Sequence, residues 1–235
     1  MLEINKIYNA DCIEGMKQIN SGGVDLIVTD PPYLISYKTN ARKDKTHRFT
    51  HTILGDDNKQ LIVDYMSECY RILKDDTACY MFCSAKTIDF FIQQARNVGF
   101  TIKNTVIWDK GNGTMGDLVA QYGQSYEPIL YMNKGRRAIN GKRLDDVWRF
   151  DRVHVDTQVH QNQKPIPLLQ RCIINSSSEG DLVFDGFMGS ASTALACMRT
   201  KRNFIGFELD NDYFKVAQRR VREESFNGPD MFGYD

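Results

Sequence analysis

The sequence predicts an α/β domain built on a mostly parallel sheet. Apolar runs of strand length alternate with amphipathic stretches of helix length along most of the chain. A length of 235 residues is enough to bury one large core. No internal repeat and no low-complexity linker divides the chain, so a single domain over 1–235 is the simplest account.

The elements follow in order. EINKIY (3–8) is a short strand, DCIEGMKQIN a helix and VDLIVTD (24–30) an apolar strand. The stretch from about 34 to 56 has no clear period and is basic, which suits a long functional loop. NKQLIVDYMSECYRILK (58–74) is helical, with Leu61, Tyr65, Tyr70 and Leu73 broadly on one side. TACYMFCS is a strand, and AKTIDFFIQQARNVG is a helix closed by Gly99. TIKNTVIWDK and YEPILYMNKG are strands separated by the irregular GNGTMG, and a basic stretch with a central turn follows them. KPIPLLQRCIINSS is a helix with Pro165 in its first turn. DLVFD, GSASTALACMRT, NFIGFELD and NDYFKVAQRRVREE read as strand, helix, strand and helix, and the tail from Ser225 as irregular.

Bulk properties exclude several classes. Acids and bases balance at 30 each, so no strong overall field points to a polyanion, although local clusters still act on nearby partners. The opening residues lack a signal-peptide pattern, and no run is long enough to span a bilayer. The six cysteines form no CxxC pair and are expected as buried free thiols in a reducing cytoplasm. Neither they nor His47, His51, His154 and His160 have metal-ligand spacing, so no metal is expected.

Two stretches carry chemistry. VTDPPYLISY (28–37) halts an apolar strand on Asp30 and stiffens the chain with Pro31 and Pro32. Proline fixes φ and removes a backbone donor, so this segment neither extends the sheet nor starts an ordinary helix. DLVFDGFMGSASTALA ends a strand on Asp185, turns through Gly186 and Gly189, and starts a helix near Ser190. Ligands bind beyond the carboxyl ends of strands in open α/β sheets, and glycines admit them to the backbone. One strand later Glu208 is placed to accept ribose hydroxyls. No GxGxxG or P-loop is present, so the pattern suits a nucleoside carrying a carboxylate better than one carrying phosphates.

Together, DPPY at 30–33 and DGFMGSAST at 185–193 resemble the amino-methyltransferases of DNA, with the catalytic motif first and the cofactor motif last as in the beta group. NADCIEGM (9–16), HQNQKPIPLLQRCI (160–173) and GFELDNDYFKVAQRR match further family segments in the same order. The resemblance implies a Rossmann-like methyltransferase fold: a seven-stranded sheet with one antiparallel strand and helices on both faces. It implies S-adenosyl-L-methionine as cofactor. Asp11 and Cys12 would lie by its adenine and Glu208 by its ribose. Asp185 would face the methionine amino group and Lys164 its carboxylate, with Asp30, Phe187, Gly189, Ser190 and Ser192 completing the cofactor set. Asp30 and the Pro31 carbonyl, framed by Pro32, would accept the hydrogens of the target amine, and Tyr33 would stack on a flipped-out base. Aspartate at position 30 points to adenine N6, since cytosine N4 enzymes often carry serine there. The chain departs from the family at Gly186, where proline is usual, at Ala191 and Ser192, where glycine and threonine are usual, and after His160. Competing readings are cytosine N4, RNA or a protein amide as acceptor, or a catalytically silent nucleic-acid-binding module.

DNA is the implied partner. Two basic stretches with aromatic residues are candidate DNA contacts: Lys38, Arg42, Lys43, Lys45 and Arg48 in the 34–56 loop, and Arg136, Arg137, Lys142 and Arg143 in a target-recognition insertion over about 109–160. A homodimer and a cognate restriction endonuclease are partners that the family admits. The expected setting is a bacterial cytoplasm, with the enzyme encoded by the bacterium or a phage.

Overall fold

The structure is a computed structural model that describes residues 2–35, 55–113, 119–154, 156, 158–159 and 162–227. The basic residues Lys38 to Arg48 therefore lie outside the described residues, as do His160 and Gln161.

The strands are β1 (Lys6–Tyr8), β2 (Val24–Thr29), β3 (Leu73–Phe82), β4 (Thr101–Asp109), β5 (Tyr126–Lys134), β6 (Val147–Arg149), β7 (Leu182–Asp185) and β8 (Asn203–Phe207). They form one sheet in the order β1-β8-β7-β2-β3-β5-β4-β6. β5 runs antiparallel to both neighbours, and every other adjacent pair is parallel. The seven expected strands and the single reversed one are present. The eighth strand, β6, is a three-residue edge strand in the basic stretch, where DDVWRF gave too short a run to register.

The helices are α1 (Cys12–Met16), α2 (Lys59–Ile72), α3 (Ile88–Val98), α4 (Ile166–Ser176), α5 (Ser192–Arg199) and α6 (Asn211–Asn227). α1, α2 and α3 pack with Ile27, Cys79, Met81 and Phe184 on one face of the sheet, while α4, α5 and α6 pack with Leu26, Val28, Tyr80 and Val183 on the other. Period-two alternation along β2 and β3 sends neighbouring residues to opposite layers. Gly99 closes α3 at φ 109°, a left-handed conformation that favours glycine. Pro165 takes the cap position of α4, and Pro167 enters its first turn.

Three expectations need correction. The buried face of α2 is Ile62, Tyr65, Met66, Cys69 and Ile72, spaced as a helical core stripe. Leu61 and Tyr70 are only half-buried, and Leu73 already belongs to β3. The segment 109–160 is not one insertion, because β5 lies inside the sheet and is buried along most of its length. The third concerns Arg136, Arg137, Lys142 and Arg143. Phe82 pairs with Ile129 and Thr77 with Lys134, so β5 begins beside the carboxyl ends of the parallel strands and finishes beside their amino ends. Arg136 and Arg137 follow Lys134, and the Arg136 amide bonds Asp76 while the Arg137 side chain bonds Ser176 and Asn140. Asn140 bonds the Ile174, Asn175 and Ser177 carbonyls at the end of α4, just before the amino end of β7, so the stretch that carries Lys142 and Arg143 leaves from that far side before it returns to β6.

All six cysteines are free and buried, as expected. Burial pushes the Cys12 thiol up to about 12 and raises the other five thiols as well, so none is a ready nucleophile. No helix among the described residues is long and apolar enough to cross a membrane.

Candidate active site

The centre of the sheet is a topological switch point. From β2 the chain proceeds to β3 on one side, and from β7 it proceeds to β8 on the other. The carboxyl ends of β1, β8, β7 and β2 therefore stand side by side; β7 ends on Asp185, and Asp11, Glu208 and Asp30 follow the other three directly or nearly so. Three strand spacings of about 4.8 Å spread them across about 14 Å.

Asp30 belongs to a buried ionic cluster. Lys164 donates to Asp30 Oδ2 at 2.7 Å and to Tyr33 Oη at 3.0 Å, and its Nζ lies 2.9 Å from Glu127 Oε1. The Tyr33 hydroxyl bonds Asp30 Oδ1 and lies 2.5 Å from Glu127 Oε1. Lys110 donates to Glu127 Oε2 at 2.5 Å and sits 4.7 Å from the centre of the Trp108 ring. Burial pushes the Asp30 carboxyl up, Lys164 opposes that, and Glu127 adds to it. Burial also pushes Glu127 up, but Lys164 and Lys110 outweigh it and hold this carboxyl at about 2. Burial, Asp30 and Glu127 keep the Tyr33 hydroxyl protonated. The backbone supports the same corner: Thr87 Oγ1 donates to the Tyr33 carbonyl at 2.7 Å. Pro31 and Pro32 are buried.

Asp185 is tied to β2 and to the turn that follows it. It accepts from Thr29 Oγ1 at 3.0 Å, from the Phe187 amide at 3.0 Å and from Thr193 Oγ1 at 2.7 Å. The Thr29 hydrogen is committed to Asp185, so Tyr65 is the donor in the 2.7 Å bond between their hydroxyls, and the Gly186 amide donates to Tyr65 Oη at 3.1 Å. Burial pushes the Asp185 carboxyl up to about 6 despite these donors.

Glu208 accepts from the Gly189 amide at 2.7 Å and the Asp210 amide at 2.8 Å, and burial pushes its carboxyl up to about 7. Gly189 has φ 53° and Ala191 φ 68°, two left-handed residues in a turn of three. Ser190 is held by Arg220, whose guanidinium bonds its carbonyl and its Oγ. Ser192 Oγ, at the start of α5, is buried with no hydrogen-bond partner among the described residues. Asp11 caps α1 by accepting from the Glu14 amide, and Cys12 is buried behind it.

Residues 24–219 match the family model described as DNA methylase. The chain belongs to the N6/N4 DNA methylase family. It is similar to the DNA adenine methyltransferase YhdJ of Escherichia coli K12, with 29% identity over 257 residues that cover 93% of this chain and 83% of YhdJ. It is also similar to the type II methyltransferase M.HpaI of Haemophilus parainfluenzae, 28% identical over 252 residues that cover 96% of this chain and 76% of that one. Among solved structures, the complex of M1.HpyAVI with S-adenosylmethionine superposes with a TM-score of 0.72 at 26% identity, covering 92% of this chain and 98% of that one.

For a DNA methylase, the structure gathers most of the expected site. Asp30, Tyr33, Asp185, Gly189, Ser190, Ser192 and Glu208 share one edge of the sheet, with Asp11 and Cys12 at its β1 end. Phe187 packs edge-on against Tyr65, 4.8 Å between ring centres. Lys164 is placed differently from expectation. Its ammonium is aimed at Asp30, Glu127 and Tyr33, within hydrogen-bond distance of all three. Glu127 and Lys110 join this cluster without a motif that announces them. Glu127 stands in an apolar strand, and only the reversed direction of β5 brings it to Asp30. A glutamate at the head of a buried strand, with lysines following another strand and preceding a helix, was the available signal. Among the described residues no group of His, Cys, Asp or Glu is placed to hold a metal ion.

Proposed function

We propose that this DNA methylase transfers a methyl group from S-adenosylmethionine to the N6 amine of adenine, acting on a base turned out of the duplex. The observation that carries the reading is the placement of Asp30, with its two proline neighbours, one strand from Asp185 and two from Glu208 on a single parallel edge. The residues fit the cofactor. Among the described residues the buried hydroxyl of Ser192 lacks a partner, next to the turn through Gly189, which is a polar opening of the kind a bound group fills. Asp11 and Cys12 would border its adenine and Glu208 would accept from its ribose. Gly189, Ser190 and Ser192 would line its methionine part, with Phe187 beside them, while Asp185 fixes their turn.

When bound, S-adenosylmethionine supplies an electrophilic methyl group. The chain's own part is to make the amine a nucleophile and hold it in line. The exocyclic lone pair of adenine is delocalised into the ring, and acceptors on both N–H bonds draw the nitrogen towards a tetrahedral form. Asp30 and the Pro31 carbonyl are those acceptors, and the prolines fix their directions. Tyr33, anchored through its hydroxyl, offers a ring of fixed orientation to the flipped base.

DNA contacts fall to the catalytic end of the sheet. The 34–56 loop leaves from Tyr33 and returns at Asp56, which accepts from the Ile35 amide, so both ends of that basic segment lie beside Asp30. The relatives' type II names support pairing with a cognate endonuclease, and the buried free thiols suit a reducing cytoplasm.

Transfer of labelled methyl into DNA, followed by nucleoside digestion, tests the reading: the label is expected in N6-methyladenine. Asp30→Ala should lower turnover by about 10²–10³-fold with cofactor binding and fold retained. Label in N4-methylcytosine or RNA, or unchanged turnover in the variant, would overturn it.

A further inference from the structure

The hydrogens in the Asp30 cluster do not balance if both carboxyls are ionised. Tyr33 Oη lies in hydrogen-bond range of Asp30 Oδ1 and of Glu127 Oε1, yet a hydroxyl has one hydrogen to donate. Lys164 cannot supply the missing one, because three oxygens within 3.0 Å already face its three N–H bonds. One of the two short contacts therefore needs a hydrogen on a carboxyl. Among the described residues Glu127 faces two ammonium groups, Lys164 and Lys110, whereas Asp30 faces Lys164 alone. The extra hydrogen belongs on Asp30, and the Tyr33 hydrogen then points to Glu127.

We propose that Glu127 is a positioning residue that sets the protonation of Asp30 through Tyr33, in a chain running Asp30 Oδ1–H to Tyr33 Oη–H to Glu127 Oε1. Shifting both hydrogens along this chain moves one proton from Asp30 to Glu127 without moving a heavy atom. Asp30 becomes a carboxylate and can accept an N–H of the target amine. As the methyl arrives, the nitrogen forms its C–N bond while the sulfur keeps the electron pair of the broken C–S bond. The nitrogen then carries the positive charge, and it sheds one proton to Asp30 and keeps the N–H electrons. The site holds one proton more than before, and this leaves to water with the product. The opposite pushes on the two carboxyls, burial on Asp30 against two lysines on Glu127, agree with this assignment of hydrogens.

The inference deepens the proposed reaction and rests on it, but its first test needs neither DNA nor cofactor. Among the described residues the groups that act on the pair are Lys164 before α4, Lys110 after β4, Tyr33, Cys83 after β3 and, more distantly, Asp185 at the end of β7. In a pH-difference infrared titration of the cofactor-free protein, Asp30→Asn identifies the Asp30 carboxyl band. Glu127→Gln removes the negative neighbour and should move the Asp30 midpoint down by at least about one pH unit. Lys110→Met weakens the hold on Glu127 and should move the titration of the pair up. The acid limb of the single-turnover methylation rate should move in the same two directions. A purely structural role for Glu127 predicts unfolding or a uniform loss of rate, not midpoints shifting oppositely in the two variants. Unchanged midpoints, or shifts of one sign in both, would overturn the proposal. Absence of methylation with shifted midpoints would instead count against the reaction.

Discussion

Ala191 adopts φ 68° and ψ 27° at the start of α5, fully buried, where the family usually has glycine. The sequence shows this departure, but not the left-handed backbone that explains the usual glycine. For alanine that conformation costs about 1–2 kcal/mol. Glycine would relieve it, yet would lose a buried methyl worth about 0.8 kcal/mol and add unfolded-state entropy of about 0.5–1 kcal/mol. The terms nearly cancel, so Ala191→Gly should change unfolding free energy by less than about 0.5 kcal/mol. Denaturant unfolding checks this, because the same change on ordinary helical backbone should destabilise by about 1–2 kcal/mol. Gly186 has a different cause. A Cβ there would meet the Tyr65 ring at 2.5 Å, and the Gly186 amide donates to Tyr65 Oη, a bond proline cannot make. The residue at 186 answers to Tyr65 on α2, a partner that sequence spacing does not reveal.

β5 decides which polar residues meet. Running against its neighbours, it delivers Glu127 to Asp30 and carries Arg136 and Arg137 away from it. A strand's direction does not show in its hydrophobic pattern, so YEPILYMNKG was legible as a strand while Glu127 was not legible as a site residue. The same reversal sets KGRRAINGKR apart from Asp30, a separation that the charge of the stretch does not reveal. The double variant Lys142→Glu, Arg143→Glu should therefore leave the KM for DNA within about threefold of the parent. It should also leave the slope of log KM against log salt unchanged, whereas two lost phosphate contacts would lower that slope by nearly two. A tenfold rise in KM would put the far end of the sheet on the DNA after all.

At the scale of the whole molecule, the fold was legible because alternating period-two and period-3.6 patterns and the order of two motifs constrain an α/β sheet tightly. Charge states were not, because they depend on who faces whom across the sheet. Asp185, at about 6, and Glu208, at about 7, both sit above their ordinary values through burial. The folded protein thus holds more protons than the unfolded chain between about pH 4.5 and 7, and its stability falls as pH rises through that window. Glu127, held at about 2, acts in the opposite sense and loses its contribution only as pH falls below about 4.5. Stability of the cofactor-free protein should peak near pH 5 and fall by about 2–4 kcal/mol by pH 8, which urea unfolding across pH measures. A rise over that range would contradict the burial of these two acids.

The proline pair after Asp30 also bears on which bases the pocket tolerates. Pro31 and Pro32 contribute carbonyls and no N–H, so the wall from 30 to 32 lacks backbone donors at both proline positions. Adenine and cytosine present an amino group at the reacting edge, whereas guanine and thymine present a carbonyl oxygen there. An oxygen turned towards this wall would meet lone pairs and gain no hydrogen bond, so keto bases are turned away by polarity before shape is tested. In the proposed reaction this wall would separate amino from keto bases.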